Sequence, residues 1–145
     1  MKEFRGTNGA KIVINEAPMR DVKKLRQVIA KELMKNNIDI GNPRSIQELI
    51  GTVNNNISTY LNLIKNILLG LETSDEFNTI MWQCMKICLY DEKTITEQLF
   101  DDIPEARSDY DLIQKEVIQV NLAPFMKPLL GLFATPNEEI TNNPQ

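Results

Sequence analysis

The sequence predicts a mainly α protein: a compact bundle of five or six helices with one short N-terminal strand or hairpin. Three observations carry that expectation. Apolar residues recur at spacings of three and four through most of the 145 residues, the period of helices that bury one face. Three Ser/Thr-x-x-Glu boxes, Ser45 with Glu48, Thr73 with Glu76 and Thr94 with Glu97, punctuate those stretches in the manner of helix starts. A single β-branched run, Ile12-Val13-Ile14, lies between turn-forming residues, as a short strand does.

In chain order, Met1 to Gly9 reads as a loose lead-in, because Gly6-Thr7-Asn8-Gly9 combines turn formers without an apolar period. The strand within residues 10–15 needs a partner, either an extended piece around Ile38-Asp39-Ile40 or a neighbouring subunit through edge pairing. Pro18 marks a helix over residues 19–35, with Val22, Leu25, Ile29 and Leu33 as its buried stripe and Asn36-Asn37 as its close. From Ser45, the positions Ile46, Leu49, Ile50, Val53, Ile57, Tyr60, Leu61, Ile64, Ile67, Leu68 and Leu71 stay in helical register. Unbroken, that helix would be about 40 Å long at 1.5 Å per residue, close to the width of the whole domain. A bend is expected near Gly51 and Asn54-Asn55-Asn56, all weak helix formers.

The Thr73 box opens a helix that turns Phe77, Ile80, Met81, Cys84, Ile87 and Cys88 inward and ends near Tyr90. The Thr94 box opens a short helix with Ile95, Leu99 and Phe100, stopped where Pro104 pushes Ile103 out of helical geometry. A further helix covers residues 108–121 with Tyr110, Ile113, Val117 and Val120 in register, and Pro124 ends it. Phe125 to Phe133 forms a last apolar piece. Residues 1–134 read as a single helical domain and residues 135–145 as a flexible polar tail.

Composition narrows function before any motif is weighed. Histidine is absent, which removes the side chain used most often as general base and metal ligand. Cys84 and Cys88 are too few for a disulfide framework or a four-ligand zinc site, and read as buried, inert core thiols in a reducing setting. The most apolar stretch, Ile67 to Leu71, lies between Lys65 and Glu72 and is far short of a membrane span. Gly6 to Lys11 lacks the order of a phosphate-binding loop. Asp101, Asp102, Glu105, Asp109 and Asp111 are dense enough for a cation, yet lack the spacing of a calcium loop and read as a solvated helix junction, with Asp109 and Asp111 favouring the positive end of the next helix.

Net charge is −4, but it is unevenly laid out. Residues 1–71 carry eleven Lys/Arg against six Asp/Glu, and residues 72–116 carry four against twelve. Complementary halves can attract each other within the fold or align successive copies, so a homo-oligomer is admitted. An isoelectric point near 4.9 argues against nucleic acid. The basic face of the first helix, with Arg20, Lys23, Lys24, Arg26, Lys31 and Lys35, leaves one alternative: a small helical regulatory or nucleic-acid-associated protein. Steep loss of binding with salt would mark that alternative.

The candidate functional residues are apolar. Phe125, Met126, Leu129, Leu130 and Phe133 crowd one short piece beside a polar tail, either as a closing helix on the core or as an arm offered to a partner's groove. Met81, Trp82 and Met85, on the flank of their helix away from Cys84, are read as a receiving surface, where flexible methionines suit an adaptable contact.

Several landmarks together resemble a known family. They are Trp82-Gln83-Cys84-Met85-Lys86-Ile87-Cys88-Leu89-Tyr90, then Leu99-Phe100-Asp101-Asp102, Ala106-Arg107-Ser108-Asp109-Tyr110 and Val120-Asn121-Leu122-Ala123-Pro124-Phe125, preceded by a strand leading into a proline-started basic helix (Ile12 to Lys35). Over residues 10–133 the chain resembles tail assembly chaperones of long-tailed phages, especially those of Gram-positive hosts. The resemblance implies a non-enzymatic viral protein of the host cytoplasm, absent from the mature virion. Such a factor binds the long helical tape-measure protein, keeps it soluble and helps recruit tail-tube subunits. It needs no cofactor or metal, and no membrane or nucleic acid is among its expected partners.

Overall fold

A computed structural model describes residues 1–39 and 42–126. The described residues form six α-helices, a 3-10 helix and a four-stranded antiparallel sheet. The chain divides into two compact units, Met1–Val22 with Ile80 onward, and Lys23–Thr79.

The first unit contains more β structure than the single strand or hairpin expected. Strand β1 (Lys2–Arg5) comes from the stretch read as a loose lead-in, and pairs with β2 (Lys11–Ile14) in the register Lys2↔Ile14 to Arg5↔Lys11. The turn between them closes with the Gly9 N–H on Gly6 C=O at 3.0 Å, and Gly9 occupies the left-handed region at φ +79°. The second neighbour of β2 is not the 38–40 segment. Ile38 is a buried loop residue, and Ile40 lies outside the described residues. The neighbour is instead β3 (Leu89–Tyr90), followed by β4 (Lys93–Thr94), in the sheet order β1-β2-β3-β4. Asp91 and Glu92, both at positive φ, make the two-residue turn between β3 and β4, the geometry that matches the twist of a tight hairpin.

Helix α4 (Asp75–Met85) therefore stops five residues before Tyr90, and Cys88 lies in the turn that feeds β3. Beyond the hairpin come α5 (Glu97–Asp102), the 3-10 helix Pro104–Asp109 and α6 (Tyr110–Met126). Helix α6 runs through Pro124 rather than ending there, a position that costs a backbone donor but lies only two residues from the helix end. Alternation places Ile12 and Ile14 of β2 in the core while Lys11 and Val13 stay half-buried. Strand β2 packs on α6, whose Ile113, Val117, Ile118 and Leu122 are buried.

The second unit is helical. Helix α1 (Met19–Lys35) carries the expected stripe, with Val22, Leu25, Ile29 and Leu33 all buried, and Val28 beside them. Asn37 closes it at φ +63°, with Ile38 N–H on Leu33 C=O and Asn37 N–H on Met34 C=O. That pair of bonds is the left-handed cap that satisfies the last free carbonyls. The long apolar period that follows is broken as expected near the asparagines: α2 (Pro43–Asn55) ends, and Asn56 caps α3 (Ile57–Glu72) by accepting from Thr59 N–H at 3.1 Å. Leu49, Ile67 and Leu71 are buried, and α2 packs on α3.

None of the three predicted boxes supplies its helix's cap. Asn42 accepts from Arg44 N–H with Pro43 in the first helical position, and Ser45 Oγ accepts from Asp39 N–H within the preceding loop. Ser74 caps α4 by accepting from Phe77 N–H, while Thr73 ends α3. Thr96 caps α5 by accepting from Leu99 N–H, and Thr94 belongs to β4. In each case a capable side chain stands one to three positions away, and the neighbouring turn decides which of the two is free to cap. Residues 127–145, including the tail expected at 135–145, lie outside the described residues.

Candidate functional site

The first unit is held by polar side chains buried at the junctions of its elements. Asp109, fully buried at the end of the 3-10 helix, accepts from Thr7 N–H and Thr7 Oγ1, both at 2.9 Å, and from the Tyr90 hydroxyl at 3.3 Å. Gly6 stands so close to that carboxylate that any Cβ there would overlap it. Burial and the adjacent Asp109 charge push the Tyr90 hydroxyl pKa up, so tyrosine stays the donor. Asn121, also buried, accepts from Ala17 N–H at 2.7 Å and donates to Val117 C=O. Asn15 donates to Ile87 C=O at 2.8 Å, and Lys2 pairs with the buried Glu116.

These bonds dissolve the acidic cluster into separate structural roles. Asp109 is a buried acceptor rather than a solvated charge at the helix start. Asp101 pairs with Arg107 at 3.0 Å, Asp102 accepts from Gln98, and Glu105 and Asp111 are exposed. Among the described residues no group of three His, Cys, Asp or Glu side chains is arranged to hold a metal.

Both cysteines are buried and free. Burial first, and then the nearby Asp21 carboxylate, pushes the Cys84 thiol up to about 12, and burial raises Cys88. Cys88 Sγ donates toward Cys84 C=O at 3.5 Å and Asn15 C=O at 3.9 Å. Thiolate, the reactive form, is strongly disfavoured at both positions.

Of the apolar residues predicted to bind a partner, Met81 and Met85 are fully buried. They offer no receiving surface. At 100° per residue, Ile80, Met81, Cys84 and Met85 fill one arc of about 140°, so the two methionines belong with Cys84 rather than on the opposite flank. Trp82 lies just past that arc and is half-buried. Its ring meets Phe100 of α5 at 6.1 Å edge-on and Tyr110 of α6 at 5.9 Å, and Phe100 meets Tyr110 at 5.3 Å and 87°. Such edge-to-face pairs are favourable beyond the area they bury. Three helix ends are thus tied together through one aromatic group. Phe125 and Met126 fall in the last turn of α6, and their side chains, together with Leu129, Leu130 and Phe133, lie outside the described residues.

The chain matches no family model, no curated protein and no solved structure. Its surface chemistry must therefore be read from its own residues.

That chemistry is clearest in the second unit. Leu61 and Leu69 on α3 are 57% and 56% exposed, and Ile64 and Leu68 beside them are only half-buried. Met34, in the last turn of α1, is 56% exposed. Leu61, Leu63, Ile64, Ile67, Leu68, Leu69 and Leu71 crowd eleven positions, more than the face buried by α2 can absorb. That density was the available signal, and the regular period of the stripe hid it. Part of the α1 basic face is already engaged: Lys31 pairs with Glu76 at 3.1 Å and Lys35 with the nearly buried Glu32 at 3.6 Å. The Lys31 hydrogen bond and charge hold the Glu76 carboxyl below its ordinary value. Among the described residues no helix is long and apolar enough to cross a membrane.

Proposed function

We propose that this chain is a non-enzymatic tail assembly chaperone of a long-tailed phage, which binds the helical tape-measure protein in the host cytoplasm, keeps it soluble and helps recruit tail-tube subunits. The observation that carries the reading is the uncovered leucine face of α3. Leu61 and Leu69 stand more than half exposed, while Leu63, Ile64, Ile67, Leu68 and Leu71 of the same helix are buried or half-buried. A monomer gains nothing from that exposure, whereas a partner helix with an apolar stripe would cover it. The resemblance of the sequence landmarks from Trp82 to Phe125 supports this family reading, and the missing histidine is consistent with a binding role.

Co-expression with the product of the long helical reading frame expected directly downstream tests the proposal. The expected result is a soluble complex that survives purification. The pair Leu61→Lys and Leu69→Lys should weaken that complex by about tenfold or more, while leaving the chain's own melting within a few degrees. Tape-measure protein that stays insoluble, or a complex indifferent to both substitutions, overturns it.

A further inference from the structure

Strand β1 forms one edge of the four-stranded sheet, and its hydrogen-bonding phase can be read from its neighbour. Gly6 N–H donates to Ala10 C=O at 2.8 Å, and Arg5 faces Lys11, Phe4 faces Ile12 and Glu3 faces Val13. Bonded and non-bonded pairs alternate along an antiparallel ladder, so Gly6, Phe4 and Lys2 bond inward to β2. The other side of β2 agrees, because Lys11 C=O accepts from Asp91 N–H, away from β1. The N–H and C=O groups of Glu3 and Arg5 therefore point outward. Among the described residues no strand lies on that side.

An open edge is a template for another strand. We propose that it takes the same edge of a second copy of this chain, antiparallel, with Phe4 on the two-fold axis. The reason is register. Outward-pointing residues must pair with outward-pointing residues, which leaves Glu3 opposite Glu3, Arg5 opposite Arg5, or Glu3 opposite Arg5. Only the last is attractive, and two-fold symmetry makes it twice: Glu3 against Arg5 of the partner subunit, and the reverse. Four main-chain hydrogen bonds close around those two pairs. Phe4, half-buried at the sheet margin, then meets its symmetry mate in the closer, non-bonded position. Lys2, already engaged with Glu116 on its own chain, comes opposite Gly6 of the partner subunit, where no side chain competes.

Among the described residues the contacts on these two charges are few and leave both within reach of a partner. Glu3 is half exposed and reaches Lys11 only at 3.7 Å, and Arg5 is exposed with one donor on Gly9 C=O. Charges on an edge strand often guard it against pairing, but a guard of one sign repels in every register, and Glu3 with Arg5 does so in all but one. The pairing would join two sheets into one of eight strands. It stands apart from tape-measure binding, which rests on α3.

Sedimentation of the full chain at low salt tests the pairing, with variants Glu3→Arg and Arg5→Glu. Wild type should dimerise reversibly with a dissociation constant of about 10–100 μM, since so short an edge buries little surface. Either single variant places like charges opposite each other twice and should weaken association about tenfold or more. An equimolar mixture of the two variants restores opposite charges at both positions and should recover the dimer. Circular dichroism on each variant confirms that the hairpin still folds. A wild-type chain that is monomeric up to about 1 mM, a dimer that ignores both variants, or a mixture that fails to recover overturns the inference, whether the edge then binds another protein or the copies meet elsewhere.

Discussion

The two units solve the same problem with different means. In the first, elements far apart in sequence are tied by buried polar side chains: Asp109 to Thr7 and Tyr90, Asn121 to Ala17, Glu116 to Lys2. In the second, helices meet mainly through apolar side chains, and one of them leaves leucines uncovered. Directional bonds fix one arrangement, because a buried acceptor that loses its donors keeps its desolvation cost. Apolar packing tolerates a shift or a new neighbour far better. A bonded scaffold and the proposed receiving surface are thus separated along one chain.

The sharpest way to break this contrast is at Asp109. Asp109→Ala strands Thr7 and Tyr90 donors in the interior and should destabilise the chain by about 3 kcal/mol. Asp111→Ala, two residues on and exposed, removes only a favourable charge at the start of α6 and should cost about 0.3–1 kcal/mol. Urea unfolding of both variants measures the difference, and equal losses would mean that Asp109 is not a structural anchor.

A smaller pair of substitutions asks the same question through glycine. An added methyl at Gly6 would meet the Asp109 carboxylate, and at Gly70 the Glu32 carboxylate. Asp109 is fixed by three donors and cannot move aside, so Gly6→Ala should cost about 2 kcal/mol. The end of Glu32, held among the described residues by Lys35 at 3.6 Å, can swing away while alanine improves helix propensity in α3. Gly70→Ala should stay within about 1 kcal/mol of the parent. Comparable losses at both sites would erase the distinction between a fixed and a movable carboxylate.

The buried thiols act only at alkaline pH. The folded Cys84 holds its proton up to about 12, above its ordinary value of 9.0, so the unfolded chain releases it first. That contribution to stability is complete below pH 9 and fades as pH rises toward 12. The urea midpoint should fall across this window, and a thiol reagent at neutral pH should react slowly until the chain unfolds. Rapid labelling of the folded chain would place the cysteines at the surface.

Much of the helical layout could be read directly, and the failures share a cause. The stripe of α1, its asparagine close and the break before Ile57 depend on neighbours within a turn or two, where spacing and capping chemistry act. The partners of β2 do not: β1 carries charge at three of four positions, and β3 is two residues long with its pairing fixed some eighty positions away. Likewise Trp82 finds Phe100 and Tyr110 only through the tertiary fold. Met81 is buried as its inward stripe predicts, and Met85 joins it because the apolar arc of α4 is wider than one stripe, so neither serves as a receiving surface. Asp109 looked like its acidic neighbours, and only the approach of Gly6 and Thr7 distinguishes it.

Hydrogen exchange of the chain, alone and with the proposed tape-measure helix added, compares the two units in one experiment. Amides of Ile57–Glu72 should slow markedly on binding, while those of Lys11–Ile14, already held in the sheet, should not change. Protection that appears in the sheet and α6 with none in α3 would contradict the division into scaffold and receiving surface.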